Sequence, residues 1–292
     1  MEIIDKSKSA VIKAPVSVIV PCYNCVNTIR RAFESIVNQT LKPEEIILVD
    51  DHSQDGTLDT LCFLTNEYPG NVKVIKLASN RGAGSARNMG WKAATQTYIA
   101  FLDADDSWHP EKLRIQCEYM QNNPEVTLCG HKCTWLLDDI TPPVSLKELA
   151  VTRISPRSLF FKNAFSTPTM MVKRDSPFRF VEGQRYAEDL FFSQRISLSG
   201  RLVVRIESNL AYIHKAPYGT AGLSAQLWKM ERAELTNFLW HYGAGRIGFG
   251  LLAVATIFSW AKYIRRILIS GLRSMESAKD KSVKGNLLSF CL

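Results

Sequence analysis

Short apolar runs alternate with helical spacings from Val16 to Met120, and this alternation leaves few folds open. Residues 16–20 are β-rich and end at Pro21. In residues 26–39, Ile29, Phe33, Ile36 and Val37 share one side of a helix. Residues 46–49 read as a buried strand, and Asp55-Gly56 breaks the chain before a helix to about Glu67. Residues 72–77 form a third strand. A glycine-rich string then opens a helix to about Ala94, residues 98–102 form a fourth strand, and Pro110 fits the first turn of a helix through Met120. This β-α-β-α-β-α-β order predicts an α/β fold with a mainly parallel central sheet flanked by helices. Ligands of such sheets bind at the carboxyl ends of the strands. Three polar strings lie at such ends: Pro21-Cys22-Tyr23-Asn24, the DDHSQDG that begins at Asp50, and Asp103-Ala104-Asp105-Asp106. They are expected to converge on one cleft.

With 292 residues and 46% hydrophobic composition, the chain can bury a sizeable core. Global disorder, collagen-like and repeat architectures are excluded. The seven cysteines are scattered and odd in number, so reduced thiols in a cytoplasmic protein are preferred over a disulfide framework. Cys22/Cys25 and Cys129/Cys133 leave a four-thiolate zinc site as the competing reading. The first fifteen residues hold no apolar run of signal-peptide length, so secretion by that route is not expected. Residues 126–212 are less regular. They read as a strand at 126–132, a short helix at 155–161, a strand at 169–172, a helix at 188–198, and short strands at 203–206 and 210–213.

After Leu223 the character changes. Trp228, Leu235, Phe238, Leu239 and Trp240 suggest a helix with an aromatic face. Residues 247–261 then carry no charge. As a helix they extend about 22 Å, short of a hydrocarbon core of ~30 Å. From Arg246 onward eight basic residues face two acidic ones, so most of the net charge of +8 lies here. A helix in or dipping into an anionic membrane interface fits, with Lys262, Arg265 and Arg266 on headgroups. A tilted single span and a helix buried against the main domain are the alternatives. The expected organisation is an N-terminal extension (1–15), a main domain (16–224, divided near 122), and a basic, membrane-associating helical tail (225–292).

Several residues can carry chemistry. Asp103, Asp105 and Asp106 cluster at a strand end, where unpaired carboxylates repel one another unless a cation intervenes. Hard oxygen ligands there suit Mg²⁺ or Mn²⁺; an acidic helix cap is the plainer reading. Asp50 and Asp51 can accept an N–H from a base or simply hold an Asx-turn. Arg81 and Arg87 flank Gly82-Ala83-Gly84, an arrangement that can receive an anion. The same string resembles a dinucleotide fingerprint, but its third glycine position is Arg87 and it follows the third strand. Glu188-Asp189 opens a helix and can supply a general base or only helix-terminal charge. His214 near a strand end is either structural or a ligand.

Taken together the strings VSVIVPCYN, ILVDDHSQDGT, NRGAGSARNMG, YIAFLDADDSWHPEKL and AEDLFFSQRI resemble the family 2 glycosyltransferases with the A-type fold. The resemblance covers about residues 16–224. It implies that Pro21, Tyr23 and Asn24 border the base of a nucleotide-sugar. Asp51, ahead of Asp50, would contact uracil, and Arg87 would lie near the nucleotide. Asp103 would approach the ribose, and Asp105 would bind a divalent metal, with Asp103 and His214 as further candidates. Asp189 would deprotonate the acceptor hydroxyl beside Glu188. The family inverts the anomeric centre.

The QxxRW motif of processive members is absent, which argues for transfer of a single sugar. The apolar, basic tail resembles enzymes that extend a lipid-diphosphate-linked saccharide in O-antigen or capsule assembly, on the cytoplasmic face of the inner membrane. A soluble or protein acceptor, a nucleotide-binding scaffold without catalysis, and a Rossmann oxidoreductase are the competing readings. Nucleic acid is not an expected partner.

Overall fold

The computed structural model describes residues 13–68, 70–136, 149–214 and 226–289, with side chains of the last helix described to residue 270. Most of the 1–15 extension, part of the irregular segment (137–148), the loop after His214 (215–225), the basic side chains beyond 270 and Cys291 lie outside the described residues. The chain divides into two compact units: Met1–Pro156 with Asn163–His214, and Arg157–Lys162 with Lys215–Leu292.

The first unit is built on a nine-stranded sheet. Its strands are β1 (Ala14–Cys22), β2 (Pro43–Asp50), β3 (Val72–Lys76), β4 (Tyr98–Phe101), β5 (Asp106–Trp108), β6 (Val126–Trp135), β7 (Val151–Arg153), β8 (Met171–Lys173) and β9 (Leu202–Ile213). The spatial order is β3-β2-β1-β4-β8-β6-β9-β5, with β7 paired to β9. Strands β1 to β4 are parallel, as the alternation predicts. Strand β8 runs antiparallel to β4, and β5 antiparallel to β9. Strands β1, β2 and β4 are buried almost throughout, which fits their short apolar runs, whereas β3, at the sheet edge, alternates apolar residues with lysine. In β1 every residue from Val18 to Cys22 is buried.

Helices α1 (Ile29–Val37), α2 (Thr57–Glu67), α3 (Ala83–Ala93), α4 (Lys112–Asn122) and α5 (Glu188–Leu198) accompany the sheet. Helix α1 buries Ile29, Ala32, Phe33, Ile36 and Val37. That is the i, i+3, i+4, i+7 stripe of a core-facing helix, and burying Phe33 or Ile36 contributes about 1.5–3 kcal/mol each. Helix α3 approaches the sheet through Gly90, where a Cβ would stand 2.5 Å from Ile19 Cγ2 and 3.2 Å from Val49 Cγ2.

Register aligns the site. Cys22 pairs with Asp50, and Asp50 with Lys76, so the carboxyl ends of β1, β2 and β3 lie abreast. Ile19 pairs with Phe101, which brings Asp103 alongside the end of β1. Strand β7 was not expected from the sequence, and two further elements differ from expectation. Residues 106–108, expected in the acidic cluster or helix cap between a strand and a helix, form strand β5, because their backbone pairs with 211–213. The two short strands at 203–206 and 210–213 are one strand, β9, whose ladder with β6 shifts register near Lys132 and so tolerates the polar interruption.

The second unit holds α6 (Leu227–Gly243) and α7 (Phe249–Ser289). They run antiparallel: Trp228 meets Trp260 and Tyr263, Glu234 meets Lys262, and Tyr242 meets Phe249. Among the described residues no helix is long and apolar enough to cross a membrane.

Candidate active site

The loop after β1 is laced to the loop after β2. Asn24 N–H donates to Ser53 Oγ (3.0 Å), Gln54 N–H to Asn24 Oδ1 (2.9 Å), and Cys25 N–H to Thr57 Oγ1 (2.8 Å). Pro21 is buried in β1, while the Tyr23 ring is exposed beside it. Asp50 is buried and receives the Ser53 N–H three residues on, while the Asx-turn of this string is closed by Asp55, whose Oδ1 accepts the Thr57 N–H at 2.9 Å. Among the described residues the non-glycine positions with positive φ are Asn24 (47°), His52 (63°) and Ala187 (50°). All three lie in the loops that carry the candidate residues. Such backbone costs about 1–3 kcal/mol per residue and gathers at functional sites.

Asp51 is only 2% exposed. Its Oδ1 accepts the Arg81 N–H at 2.8 Å, and its Oδ2 the Gly82 N–H at 2.7 Å. The glycine-rich loop was expected to receive an anion; the anion on these two amides is Asp51 itself. Gly82, at φ 87°, is the position where only glycine allows that turn without strain. Arg81 points its guanidinium at Glu182 (2.8 Å). Each carboxylate oxygen of Asp51 keeps a second lone pair.

Arg87 organises the centre. Its side chain is 4% exposed. Nη2 donates to Asp103 Oδ1 at 2.7 Å, and Nη1 donates to Glu188 Oε1. Burial alone would depress this guanidinium, but Glu188 and Asp103 outweigh it and hold the charge. One buried cation therefore joins the acidic turn after β4 to the acidic start of α5. Gly84 makes room for this: a Cβ there would lie 3.0 Å from Glu188 Oε2 and 3.3 Å from Phe180 Cβ. Phe180 stacks on Phe192 with ring centroids 4.5 Å apart, and the Arg87 guanidinium lies 5.1 Å from the Phe180 centroid.

Asp189 stands next to Glu188 in the first turn of α5. Asn163 Nδ2 donates to its Oδ2 (2.9 Å), and the Leu190 N–H to its Oδ1 (2.8 Å). Burial raises its pKa, against the pull of those donors and of Arg87. Burial raises Glu188 too, with Arg87 opposing. A carboxylate with a raised pKa is a better proton acceptor near neutral pH.

Asp105 is half-buried, and its carbonyl accepts Arg31 Nη2 at 2.7 Å. His214 follows β9 and reaches Ser107 Oγ through Nε2 at 2.8 Å, so β5 brings it to the acidic turn. Among the described residues no three His, Cys, Asp or Glu side chains group as a metal site. A cation that arrives with a diphosphate needs only one or two protein carboxylates, the rest of its shell being water and phosphate. A single half-buried aspartate at a strand end fits that type of site.

Sequence reasoning missed Asn163, Ser107, Arg31 and Arg185, whose Nη2 donates to Asn80 Oδ1 at 2.8 Å. Asn163 and Arg185 belong to the irregular segment, where neither spacing nor motif marks a single polar residue. Ser107 becomes visible only once β5 is paired to β9.

The family model for glycosyl transferase family 2 matches residues 17–180. An Escherichia coli protein named UDP-Glc:alpha-D-GlcNAc-diphosphoundecaprenol beta-1,3-glucosyltransferase WfaP is 40% identical over 108 residues, covering 36% of this chain and 41% of its own. An uncharacterized glycosyltransferase of Nostoc sp. is 40% identical over 116 residues, covering 40% of this chain and 36% of its own. The matches thus span about two fifths of the length of these relatives. Among solved structures, S. aureus TarS 1-349 in complex with UDP-GlcNAc aligns with TM-score 0.59 and 24% identity over 77% of this chain and 66% of its own. The mannosyltransferase PcManGT from Pyrobaculum calidifontis, in complex with GDP-Man and Mn2+, aligns with TM-score 0.64 and 18% identity over 95% and 81%. Both likenesses concern the fold.

Proposed function

Because this chain belongs to the family 2 glycosyltransferases, we propose that it moves one sugar from a UDP-hexose or UDP-N-acetylhexosamine to a lipid-diphosphate-linked saccharide, with inversion. The observation that carries the reading is the Arg87 bridge between Asp103 and Glu188. It ties the donor-side carboxylates to the carboxylates that face an acceptor. The WfaP name, which contains both a UDP-sugar and a diphosphoundecaprenol acceptor, supports the substrate classes.

The base of the nucleotide lies against Pro21, Tyr23 and Asn24, with Asp51 accepting its N–H through a free lone pair and Asp50 holding the loop beneath. Asp103 faces the ribose. Asp105, with Asp103 and His214 as further ligands, would hold Mn²⁺ or Mg²⁺, which would supply Lewis-acid neutralisation of the leaving diphosphate. Asp189 takes the proton of the acceptor hydroxyl as that oxygen attacks C1 from the face opposite the diphosphate. The C1–O bond to the diphosphate breaks, and the configuration inverts. Direct displacement needs one base and no enzyme nucleophile. Glu188 and Asn163 fix the base: Asn163 by its hydrogen bond, Glu188 by locking the helix start to Arg87.

The catalytic domain (16–224) works at the cytoplasmic face of the membrane, carried there by the 225–292 tail, as O-antigen or capsule assembly requires. The test is a transfer assay with Mn²⁺, a panel of UDP-sugars and a synthetic GlcNAc- or GalNAc-diphosphate-lipid, read by product mass. A gain of one hexose or N-acetylhexosamine is expected. UDP release without product would move the acceptor to a soluble or protein molecule. Neither product nor UDP release with any donor would overturn the reading.

A further inference from the structure

The second unit distributes polar and apolar side chains in the reverse of a water-soluble helix pair. On α6 the buried face carries Glu231, Glu234 and Asn237 beside Phe238. On α7 the buried positions are Leu252, Ala255 and Ser259 among the described side chains, and Lys262 turns its Nζ to within 2.5 Å of Glu234 Oε1. The Glu231 carboxyl is raised by burial and lies against Ser259, with Lys262 and Arg266 in its field. Lys262, expected at the headgroups, is instead turned inward, because Glu234 offers it a partner there.

The outward face is apolar. Phe249 and Ile257 are each 70% exposed, and Val254, Phe258, Ile264 and Leu268 are exposed with them. From residue 249 to 264 no exposed side chain of α7 is charged. At 3.6 residues per turn these positions sweep about half the helix circumference. A single partner helix covers a narrower stripe than that. Leu239, Trp240 and Tyr242 extend the exposed apolar surface across the end of α6. Arg246 precedes the stripe and Arg265 stands near its far end, about one turn before Leu268, both exposed, with Arg246 4.9 Å from the Trp240 ring centroid.

We infer that α6 and α7 form an inside-out hairpin lying in the plane of a lipid surface, with the outer face of α7 among the acyl chains. Charges placed near hydrocarbon must be paired, as Glu234 and Lys262 are. Charges that flank an apolar stripe reach headgroup phosphates by snorkelling, as Arg246 and Arg265 can. No described helix is long and apolar enough to cross a bilayer, and a half-circumference apolar face suits a hairpin that lies flat. Apolar insertion is then the main attachment, and attraction to anionic lipid is an addition to it. The inference rests on the proposal that the enzyme meets a lipid-linked acceptor at a membrane.

The experiment is flotation of the full chain with phosphatidylcholine vesicles, with and without about 1 M NaCl, where the screening length falls to about 3 Å. The wild-type chain should float with these uncharged vesicles and stay bound in salt. Ile257→Asp with Ile264→Asp should lower partition by roughly 100-fold. The thermal midpoint should be unchanged, because both side chains are exposed. Arg246→Gln with Arg265→Gln should remove only the extra binding to vesicles that contain phosphatidylglycerol. Release of the wild type by salt, or strict dependence on anionic lipid, would overturn the inference in favour of a purely electrostatic contact. So would unchanged flotation of the Ile257/Ile264 variant; if that variant turned a dimer into a monomer, the face would be a contact between two copies. Transfer to a detergent-dispersed acceptor separates the two proposals. The Ile257/Ile264 variant should keep it, whereas its absence in a wild type that floats would count against the transferase reading alone.

Discussion

Replacing Arg87 by methionine removes the one cation buried between Asp103 and Glu188. The Glu188 side chain is 11% exposed and that of Asp103 27%, so the two pairs are unequal. Removing one partner of a buried pair costs about 3–5 kcal/mol, since a desolvated charge is left behind. The Glu188 pair deserves most of that figure, and the more solvated Asp103 pair much less. We therefore expect a loss of roughly 3–4 kcal/mol at neutral pH, measured by urea denaturation. The loss should depend on pH. Glu188 is already raised by burial with Arg87 opposing the shift, so without Arg87 its folded-state pKa rises further. Between the unfolded and folded values the native state then binds more protons than the unfolded state, and stability falls as pH rises. The deficit of Arg87→Met relative to wild type should thus shrink between pH 7 and pH 5, each unit of pKa shift being worth about 1.4 kcal/mol. Arg87→Met combined with Glu188→Gln should recover roughly 2 kcal/mol, because the orphaned charge is gone. A deficit that is constant with pH, or a double variant no more stable than the single one, would refute the bridge as a buried electrostatic joint.

Other expectations follow from the same geometry. Asp189→Asn should lower transfer by about 10²–10⁴-fold while UDP affinity changes by only a few-fold. In the wild type the raised pKa of Asp189 puts an acid limb on kcat, with activity rising as the group deprotonates above the ordinary carboxylate range, and the asparagine variant should lose that limb. Asp105→Ala should abolish the Mn²⁺ dependence of UDP binding, measured by calorimetry with and without chelator; unchanged dependence would remove Asp105 from the metal. Gly90→Ala drives a methyl into Ile19 and Val49 at the centre of the α3–sheet contact. It should cost about 1–3 kcal/mol by chemical denaturation, with no effect on the acidity of Asp189.

The parallel half of the sheet was legible because β1, β2 and β4 carry short apolar runs closed by turn-forming strings, and β3 alternates apolar residues with Lys73 and Lys76. The site could be read for a related reason: register fixes where each strand ends, so motifs at strand ends must meet. Strand β5 was illegible because three residues, Asp106 to Trp108, carry no periodicity of their own. They are extended only because β9 supplies a partner, a contact between residues about a hundred positions apart. The role of Asp51 was half legible. A carboxylate at that strand end was expected to accept an N–H, but which N–H depends on the approach of Arg81 and Gly82. Asn163 was not legible at all, since its tie to the site is a hydrogen bond to Asp189, 26 residues away in the chain.

The tail illustrates a limit of a different kind. Composition located the apolar stretch and the basic excess, but the sum of charges does not say which way any one points. Lys262 reads in sequence as the first cation beyond an uncharged run, and so as a headgroup contact. What reverses it is Glu234, 28 residues earlier, which meets it only because α6 and α7 run antiparallel. With that pair, Glu231 and Ser259 on the inner side, the apolar residues buried in the described part of α7 are Leu252 and Ala255, and Phe249, Val254, Ile257, Phe258, Ile264 and Leu268 face outward. The outward apolar face is thus the counterpart of the inward polarity. A test of one is a test of the other: Glu234→Leu with Lys262→Leu should keep the hairpin folded, since both partners are replaced together, and leave flotation intact. Loss of flotation in that variant would mean that the charges themselves, and not the apolar face they displace, make the attachment.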